Sequence, residues 1–266
     1  MRTIKKGYRG SEVAFLCREL SRNGYTVPCS DSFDDNVLSA VVDYQQDKGL
    51  VADGIVGYNT WERVLFEDCH SNKKTLKDDI ERLAMLLDCE SAALMAVIEV
   101  ECCGEGFVAP GKPAILFEGH IFRNELKRRG YNLQEILPGN ENILYEKWCR
   151  KYYIGGIGEY RRLEQARRID HNAADASTSW GMFQILGRNY SLCGEKSITD
   201  FVAAMHESER KQLILAGRFI KNSGALHALQ KKEWCEFARR YNGPLYHLNK
   251  YDKRLQEAYS MHAKKD

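Results

Sequence analysis

The stretch LMAVIEVECCGEGF, residues 94–107, begins as an apolar helix and is broken by glycines at its end. At about 100° per residue, Glu101 falls on the same apolar side of that helix as Leu94 and Val97. Glu99, two residues earlier, points away from that side. Because burying a charge is costly, a carboxylate on the apolar face requires a specific role, and the rest of the sequence has to identify it.

Amphipathic helices punctuated by glycines are predicted on both sides of this stretch. Before it, the pattern gives a helix from Ser11 to a stop at Asn23-Gly24, a second with its apolar face at Val37, Ala40, Val41 and Tyr44, and a third led by Asn59 or Thr60. After it, the two clearest helices end at Gly224 and Gly243. Strand signals are weak, and PAILFEGHIF (113–122) is the candidate for a short extended segment. The predicted fold class is therefore mostly α.

The polar stretch FEDCHSNKKT (66–75) lacks periodicity and separates two helical parts of the chain. We predict one domain at residues 1–67 and a second at 75–266, joined by a linker at 68–74. Thr75 and Asp78 have the spacing of a capping box, which would begin the first helix of the second domain.

The composition is that of a globular protein, with 44% hydrophobic and 29% charged residues and a net charge of +2. So small a charge gives no argument for nucleic-acid binding.

The start of the chain lacks an apolar signal region and no stretch approaches a membrane span, so we expect a cytoplasmic protein without stable membrane insertion. The nine cysteines are scattered without C-x-x-C spacing, which favours free thiols. His120 and His171 lack metal-ligand spacing, so neither a metal nor another cofactor is expected.

Glu101 has the properties of a general acid. It lies in the last predicted turn of its helix, where partial burial and the negative end of the helix dipole both disfavour the ionised carboxylate. A glycosidase uses a carboxylic acid that stays protonated near neutral pH to protonate the leaving oxygen. The alternative is a buried glutamate that is ion-paired with an arginine.

A recognisable pattern extends over residues 6–65: K-G-x-x-G-x-x-V, followed by A-V-x-x-Y-Q-x-x-x-G-L-x-x-D-G-I-V-G-x-x-T-W. It resembles the small three-helix peptidoglycan-binding module. Cys17 stands where a Gln is usual, and Asp34 stands where a Gly is usual. The resemblance implies that the first domain binds peptidoglycan.

Two further stretches, STSWGMFQI (177–185) and RRYNGP (239–244), resemble cleft-lining segments of lytic transglycosylases and goose-type lysozymes. In those families the matching residues contact the sugar chain. The substrate-binding residues that the resemblance implies here are Ser179, Gly181, Gln184, Tyr241 and Asn242.

The second half as a whole is similar to the N-acetylmuramidase domain of modular endolysins from phages of Gram-negative hosts. The stretches AVIEVECCGEGF, ILFEGHIF, ASTSWGMFQILGRNY, RRYNG and YDKRLQEAY occur in the same order. Those endolysins also carry the peptidoglycan-binding module at the N-terminus, so the resemblance to them covers roughly residues 6–260. It implies a lysozyme-like helical catalytic domain in which Glu101 is the catalytic acid. Cys102 replaces the usual Ser beside it.

A second carboxylate is less clearly marked, and Glu118 is the best candidate. It could hold a water molecule or stabilise positive charge on the sugar ring. An ion pair with Arg123 or Arg188 is its structural alternative. Asp170 and Asp175 are the other candidates.

The family resemblance also implies a binding partner and a cellular location. The partner is the glycan strand of peptidoglycan, and the enzyme is expected to act as a monomer. It would be made in the host cytoplasm and released to the cell wall at lysis through a separate membrane pore. Two alternatives stay open: a lytic transglycosylase that uses the same acid and gives 1,6-anhydro products, and a non-catalytic wall-binding phage structural protein.

Two neighbouring stretches remain outside these motifs. YIGGIGEY (153–160) lacks the Lys-Ser/Thr of a phosphate loop and is predicted to form a tight loop near the cleft. YRRLEQARR (160–168) is predicted to be a solvated helix face, with contact to an anionic glycan or outer-membrane lipid as the alternative.

Overall fold

The computed structural model describes residues 1–67, 76–101, 105–244 and 246–264. The chain is mostly α-helical, as predicted, and it divides into two compact units, 1–91 and 92–266. The expected linker at 68–74, the capping residue Thr75, and Cys102 lie outside the described residues, and the boundaries expected at 67 and 75 stay a prediction.

The first unit is helical. Its helices are α1 (Ser11–Arg22), α2 (Asp35–Asp47), α3 (Tyr58–Phe66) and α4 (Leu76–Leu87). Asp34 caps α2, because its side chain accepts hydrogen bonds from the backbone N–H groups of Asn36 and Val37. The predicted apolar faces are buried, including Val41 and Tyr44 in α2.

The start of α3 differs from the prediction of Asn59 or Thr60. The helix begins at Tyr58, and the extended backbone of Gly57 takes the cap position without a side-chain cap. The Thr60 hydroxyl instead accepts a hydrogen bond of 3.1 Å from the buried amide of Gln45, which also donates to the Ile55 carbonyl at 3.0 Å. The Thr60 hydroxyl, which the sequence suggested as a helix cap, is therefore used in a tertiary hydrogen bond with Gln45.

The second unit surrounds two small sheets with helices. Its elements are α5 (Ser91–Glu101), β1 (Phe107–Ala109), β2 (Lys112–Pro113), β3 (Ile115–Phe117), α6 (Gly119–Arg128), α7 (Leu133–Ile136), α8 (Glu159–Arg167), α9 (His171–Ala176), β4 (Thr178–Trp180), β5 (Ile185–Leu186), α10 (Ile198–Glu207), α11 (Glu209–Asn222), α12 (Leu226–Lys231), α13 (Trp234–Asn242) and α14 (Tyr251–His262). The extended segment predicted around residues 113–122 is confirmed at β3.

The larger sheet is antiparallel in the order β3-β4-β5. Ser179 of β4 lies opposite Leu116 on one side and Leu186 on the other, and all three residues are half-buried. The opposite face is buried, with Trp180 paired to Ile115 and Ile185. Alternation along the strands thus leaves one face of the sheet partly accessible. None of the helices in the described parts of the chain is long and apolar enough to cross a membrane.

Candidate active site

Glu101 is the last residue of α5, and it is buried, with 8% of its surface exposed. The side-chain amide of Asn242, the last residue of α13, donates to both carboxylate oxygens at 3.1 and 3.0 Å. The fold therefore joins two helix ends that lie 141 residues apart in the chain. It brings together two of the residues that the sequence singled out.

Burial raises the pKa of Glu101 to about 7, against 4.5 for an ordinary glutamic acid. Two effects oppose the rise: the hydrogen bond from Asn242 and the positive charge of Arg254. Arg254 is held beside this helix end because its guanidinium donates to the Val100 carbonyl at 3.1 Å. The carboxyl is thus poised to hold or release a proton near neutral pH.

This balance gives a prediction for pH dependence. If the protonated Glu101 is the active form, kcat/KM declines as pH rises above about 7. Because the Asn242 amide favours the ionised carboxylate, the Asn242→Ala variant raises the pKa further and moves the alkaline limb of the profile to higher pH. The position of the limb is measured from kcat/KM between pH 5 and 9. A limb near pH 4.5, or a downward move in Asn242→Ala, would contradict the assignment.

Tyr241 fixes the end of α13 that carries Asn242. Its ring stacks on Phe237 with centroids 5.4 Å apart and meets Phe219 edge-on at 5.2 Å. Aromatic pairs of this kind add to the burial energy of the rings. The residue is half-buried, so part of it remains accessible.

Gly181 and Gln184 form the tight turn between β4 and β5. Gly181 has φ +70°, and a Cβ there would lie 2.8 Å from the Gln212 amide oxygen, so this position excludes larger residues. Gln184 also has a positive φ of 47°, and its side chain donates to the Gly181 carbonyl at 2.8 Å. A positive φ is uncommon for a residue other than glycine, and the hydrogen bond to Gly181 holds Gln184 in it.

Gln212 is a residue that sequence reasoning missed. It is fully buried in α11, where its side-chain oxygen accepts from the Met182 N–H at 2.9 Å. Its amide nitrogen donates to the carbonyls of Gly106 at 3.2 Å and Met205 at 2.9 Å. Gln212 thus ties the segment that follows Glu101 to the turn at Gly181. The sequence held one signal that could have identified it: Gln212 falls on the same face of its helix as Ala216 and Phe219.

We expect Gln212→Leu to lower kcat/KM by about 10- to 100-fold, because displacement of catalytic groups by an ångström has effects of this size. The substitution leaves the Met182 N–H and the Gly106 carbonyl without their partner. Gln256→Leu, at an exposed position on α14, is the matched control and should retain activity. A Gln212→Leu enzyme with normal kcat/KM would show that the two segments hold their places without this link.

Glu118 follows β3 and precedes α6, within an aromatic cluster. Its carboxylate accepts a hydrogen bond of 2.7 Å from the Tyr153 hydroxyl, and His120 Nδ1 lies 3.3 Å from the same oxygen. The structural alternative, an ion pair with Arg123, does not form, because Arg123 pairs with Glu146 at 2.9 Å. Within the described part of the chain, Arg188 also forms no ion pair with it.

The two other candidate carboxylates hold structural contacts. Asp170 caps α9, accepting from the Ala173 N–H at 2.8 Å. Asp175 is buried and pairs with Arg167 at 2.7 Å. Among the described residues, no cluster of His, Cys, Asp and Glu is placed to hold a metal ion.

The glycine loop at 153–158 and the helix α8 that follows it make more buried polar contacts than the sequence suggested. Arg161 and Arg168 are exposed, as expected of a solvated face, but Arg162 is buried and pairs with the buried Glu159 at 2.8 Å. The backbone N–H groups of Ile154 and Gly155 donate to Glu159 at 2.6 and 3.1 Å. The tight loop is therefore anchored from inside the fold.

Comparison with known proteins covers both units. Residues 90–263 match the family model for N-acetylmuramidase, and residues 9–64 match the model for a peptidoglycan binding domain. The crystal structure of Burkholderia AP3 phage endolysin is similar over 99% of this chain and 100% of that chain, with 34% sequence identity and a TM-score of 0.64. The resemblances to the peptidoglycan-binding module and to the N-acetylmuramidase domain of phage endolysins are thereby confirmed.

Proposed function

Because this chain belongs to the N-acetylmuramidase family, we propose that it cleaves the β-1,4 bond between N-acetylmuramic acid and N-acetylglucosamine, with Glu101 as general acid. The chain is a glycoside hydrolase that degrades peptidoglycan, in the manner of a modular phage endolysin. The observation that carries the proposal is the buried Glu101 carboxyl, whose pKa of about 7 leaves a large fraction of it protonated near neutral pH and able to protonate the glycosidic oxygen.

In the proposed reaction, Glu101 protonates the glycosidic oxygen as the bond to the muramic sugar breaks. Asn242, which holds both carboxylate oxygens, keeps the acid in place and stabilises the carboxylate formed when the proton leaves. An oxocarbenium-like state forms on the sugar, and water then attacks it. Glu118, fixed by Tyr153, is proposed to hold that water or to stabilise the positive charge.

The remaining cleft residues are proposed to bind the glycan. Ser179 lies on the half-buried face of the larger sheet, and the turn at Gly181 and Gln184 follows it directly. Tyr241, half-buried beside Asn242, is proposed to contribute to the same binding surface. Sugar rings pack on such aromatic surfaces while polar side chains hydrogen-bond their hydroxyl and acetamido groups.

The first unit is proposed to hold the enzyme on its polymer and so to raise the local concentration of cleavable bonds. We expect residues 1–91 alone to co-sediment with purified sacculi, since this unit includes α4 and has its own core. The same fragment without sacculi should stay in the supernatant. A fragment that remains soluble in the presence of sacculi would remove the wall-binding role.

The biological setting follows from the same proposal. The enzyme would accumulate in the host cytoplasm as a monomer and reach the wall at lysis through a separate membrane pore.

The test of the reaction is mass spectrometry of borohydride-reduced products from purified peptidoglycan. Reduced N-acetylmuramic acid ends are expected, because water is the proposed acceptor. Anhydro-muramic ends would instead mean an intramolecular attack by the 6-hydroxyl, and Glu118 would then have no water to hold. The absence of soluble fragments would overturn the catalytic proposal as a whole.

A further inference from the structure

An open groove of about 880 Å³ lies on the second unit and shares no residue with the proposed catalytic site. Its volume is in the range of roughly 300–1,000 Å³ that is usual for small-ligand sites. One wall is the outer face of α8, and the other is the glycine loop with the β2 residue Lys112. Its charged side chains and its exposed apolar side chains are Lys112, Ile154, Ile157, Arg161, Glu164 and Arg168.

The groove has a fixed apolar edge. Ile154 and Ile157 are 62% and 52% exposed, although both are large hydrophobic residues. The loop that carries them is held by the fully buried Glu159, which accepts from the N–H groups of Ile154 and Gly155. Exposed apolar side chains on a rigidly held loop mark a contact surface.

The groove also has an uncompensated positive charge. Among the described residues, Lys112, Arg161 and Arg168 take part in no ion pair, and Lys112 Nζ lies 4.5 Å above the Tyr160 ring. Glu164, the acidic residue of the lining, is already paired with Arg167 at 2.8 Å. An anionic ligand with small apolar groups would complement this surface.

We propose that this groove binds the acidic peptide stem carried by N-acetylmuramic acid, an inference that rests on the proposed muramidase function. Stem peptides alternate methyl groups with free carboxylates, which match the isoleucines and the three cations. The loop of the groove packs against β1, which begins at Phe107. Phe107 is six residues after Glu101, so chain geometry keeps their Cα atoms within roughly 22 Å. A stem attached to the cleaved sugar has to lie beside Glu101, whereas a membrane contact has no such requirement.

The test compares the full-length enzyme with an Arg161→Ser/Arg168→Ser variant on two substrates: purified peptidoglycan, and the same glycan after amidase removal of its stems. We expect kcat/KM to fall about five- to tenfold on the stem-bearing substrate, since two partly exposed charge contacts are lost. On stem-free glycan it should be unchanged. The Lys127→Ser/Lys196→Ser variant removes two exposed charges elsewhere on this unit and should match the unaltered enzyme on both substrates.

A binding measurement makes the proposal independent of catalysis. Titration calorimetry with a synthetic stem tetrapeptide should give a Kd that is about five- to tenfold weaker for the double-arginine variant. Equal binding by both proteins, or equal losses of activity on both substrates, would overturn the proposal. The proposal would also be overturned if the double-arginine variant kept full activity but lost binding to phosphatidylglycerol vesicles. That result would assign the groove to a lipid. Failure of the unaltered enzyme to release reducing N-acetylmuramic acid ends from stem-bearing peptidoglycan would instead count against the muramidase mechanism.

Discussion

Replacing Glu101 with Gln is expected to lower kcat on purified peptidoglycan by about 10²- to 10⁴-fold, the usual contribution of a positioned general acid. Gln has nearly the same shape and can still accept a hydrogen bond from Asn242, but its amide protons are not acidic enough to be transferred to the glycosidic oxygen. Sedimentation with sacculi should be unchanged, because the wall-binding unit is untouched. The loss should therefore be confined to turnover, measured by release of reducing ends.

Glu99→Gln is the matched control for this experiment. Glu99 lies on the same helix two residues earlier, its side chain is 47% exposed, and it contacts His262 at 2.8 Å. Because it points away from the buried face, the control should retain full activity. Retained lysis by the Glu101→Gln enzyme, or an equal loss in both variants, would remove Glu101 from the role of acid.

Local periodicity was sufficient to predict the burial of Glu101, because a helix repeats every 3.6 residues wherever it is formed. The same reasoning placed α1, α2 and α11, and it identified the buried face of α2. It could not identify the partner of Glu101. Asn242 reaches that carboxylate across 141 residues of chain, and only the likeness of RRYNGP to a known cleft segment drew attention to it.

The parts that sequence reasoning missed are polar groups buried by tertiary contacts. Gln212 and Arg162 both lie on amphipathic helices, where a long polar side chain is usually solvated. Their burial depends on backbone groups from other segments, such as the Gly106 and Phe117 carbonyls, that satisfy them. No local pattern encodes those partners, since they are brought in by the packing of the whole unit.

Removing one partner of the buried pair of Arg162 and Glu159 should therefore destabilise the second unit strongly. Arg162 donates to the Phe117 carbonyl at 3.0 Å and to the Asn142 carbonyl at 3.0 Å, besides its bond to Glu159. Arg162→Met leaves the Glu159 charge buried without its cation. Breaking such a pair on one side is expected to lower the free energy of unfolding by about 3–5 kcal/mol, as measured by urea denaturation.

Arg161→Met is the matched control, since this neighbouring arginine is exposed and should change the free energy of unfolding by no more than about 0.5 kcal/mol. Adding Glu159→Gln to Arg162→Met removes the unpaired charge and should recover part of the loss, because the penalty comes from the isolated carboxylate. The glycine loop would still lose hydrogen bonds to that carboxylate, so recovery should stay incomplete. If Arg162→Met were as stable as Arg161→Met, the buried pair would contribute no more to stability than an exposed ion pair does, and the glycine loop would have to be held by other contacts.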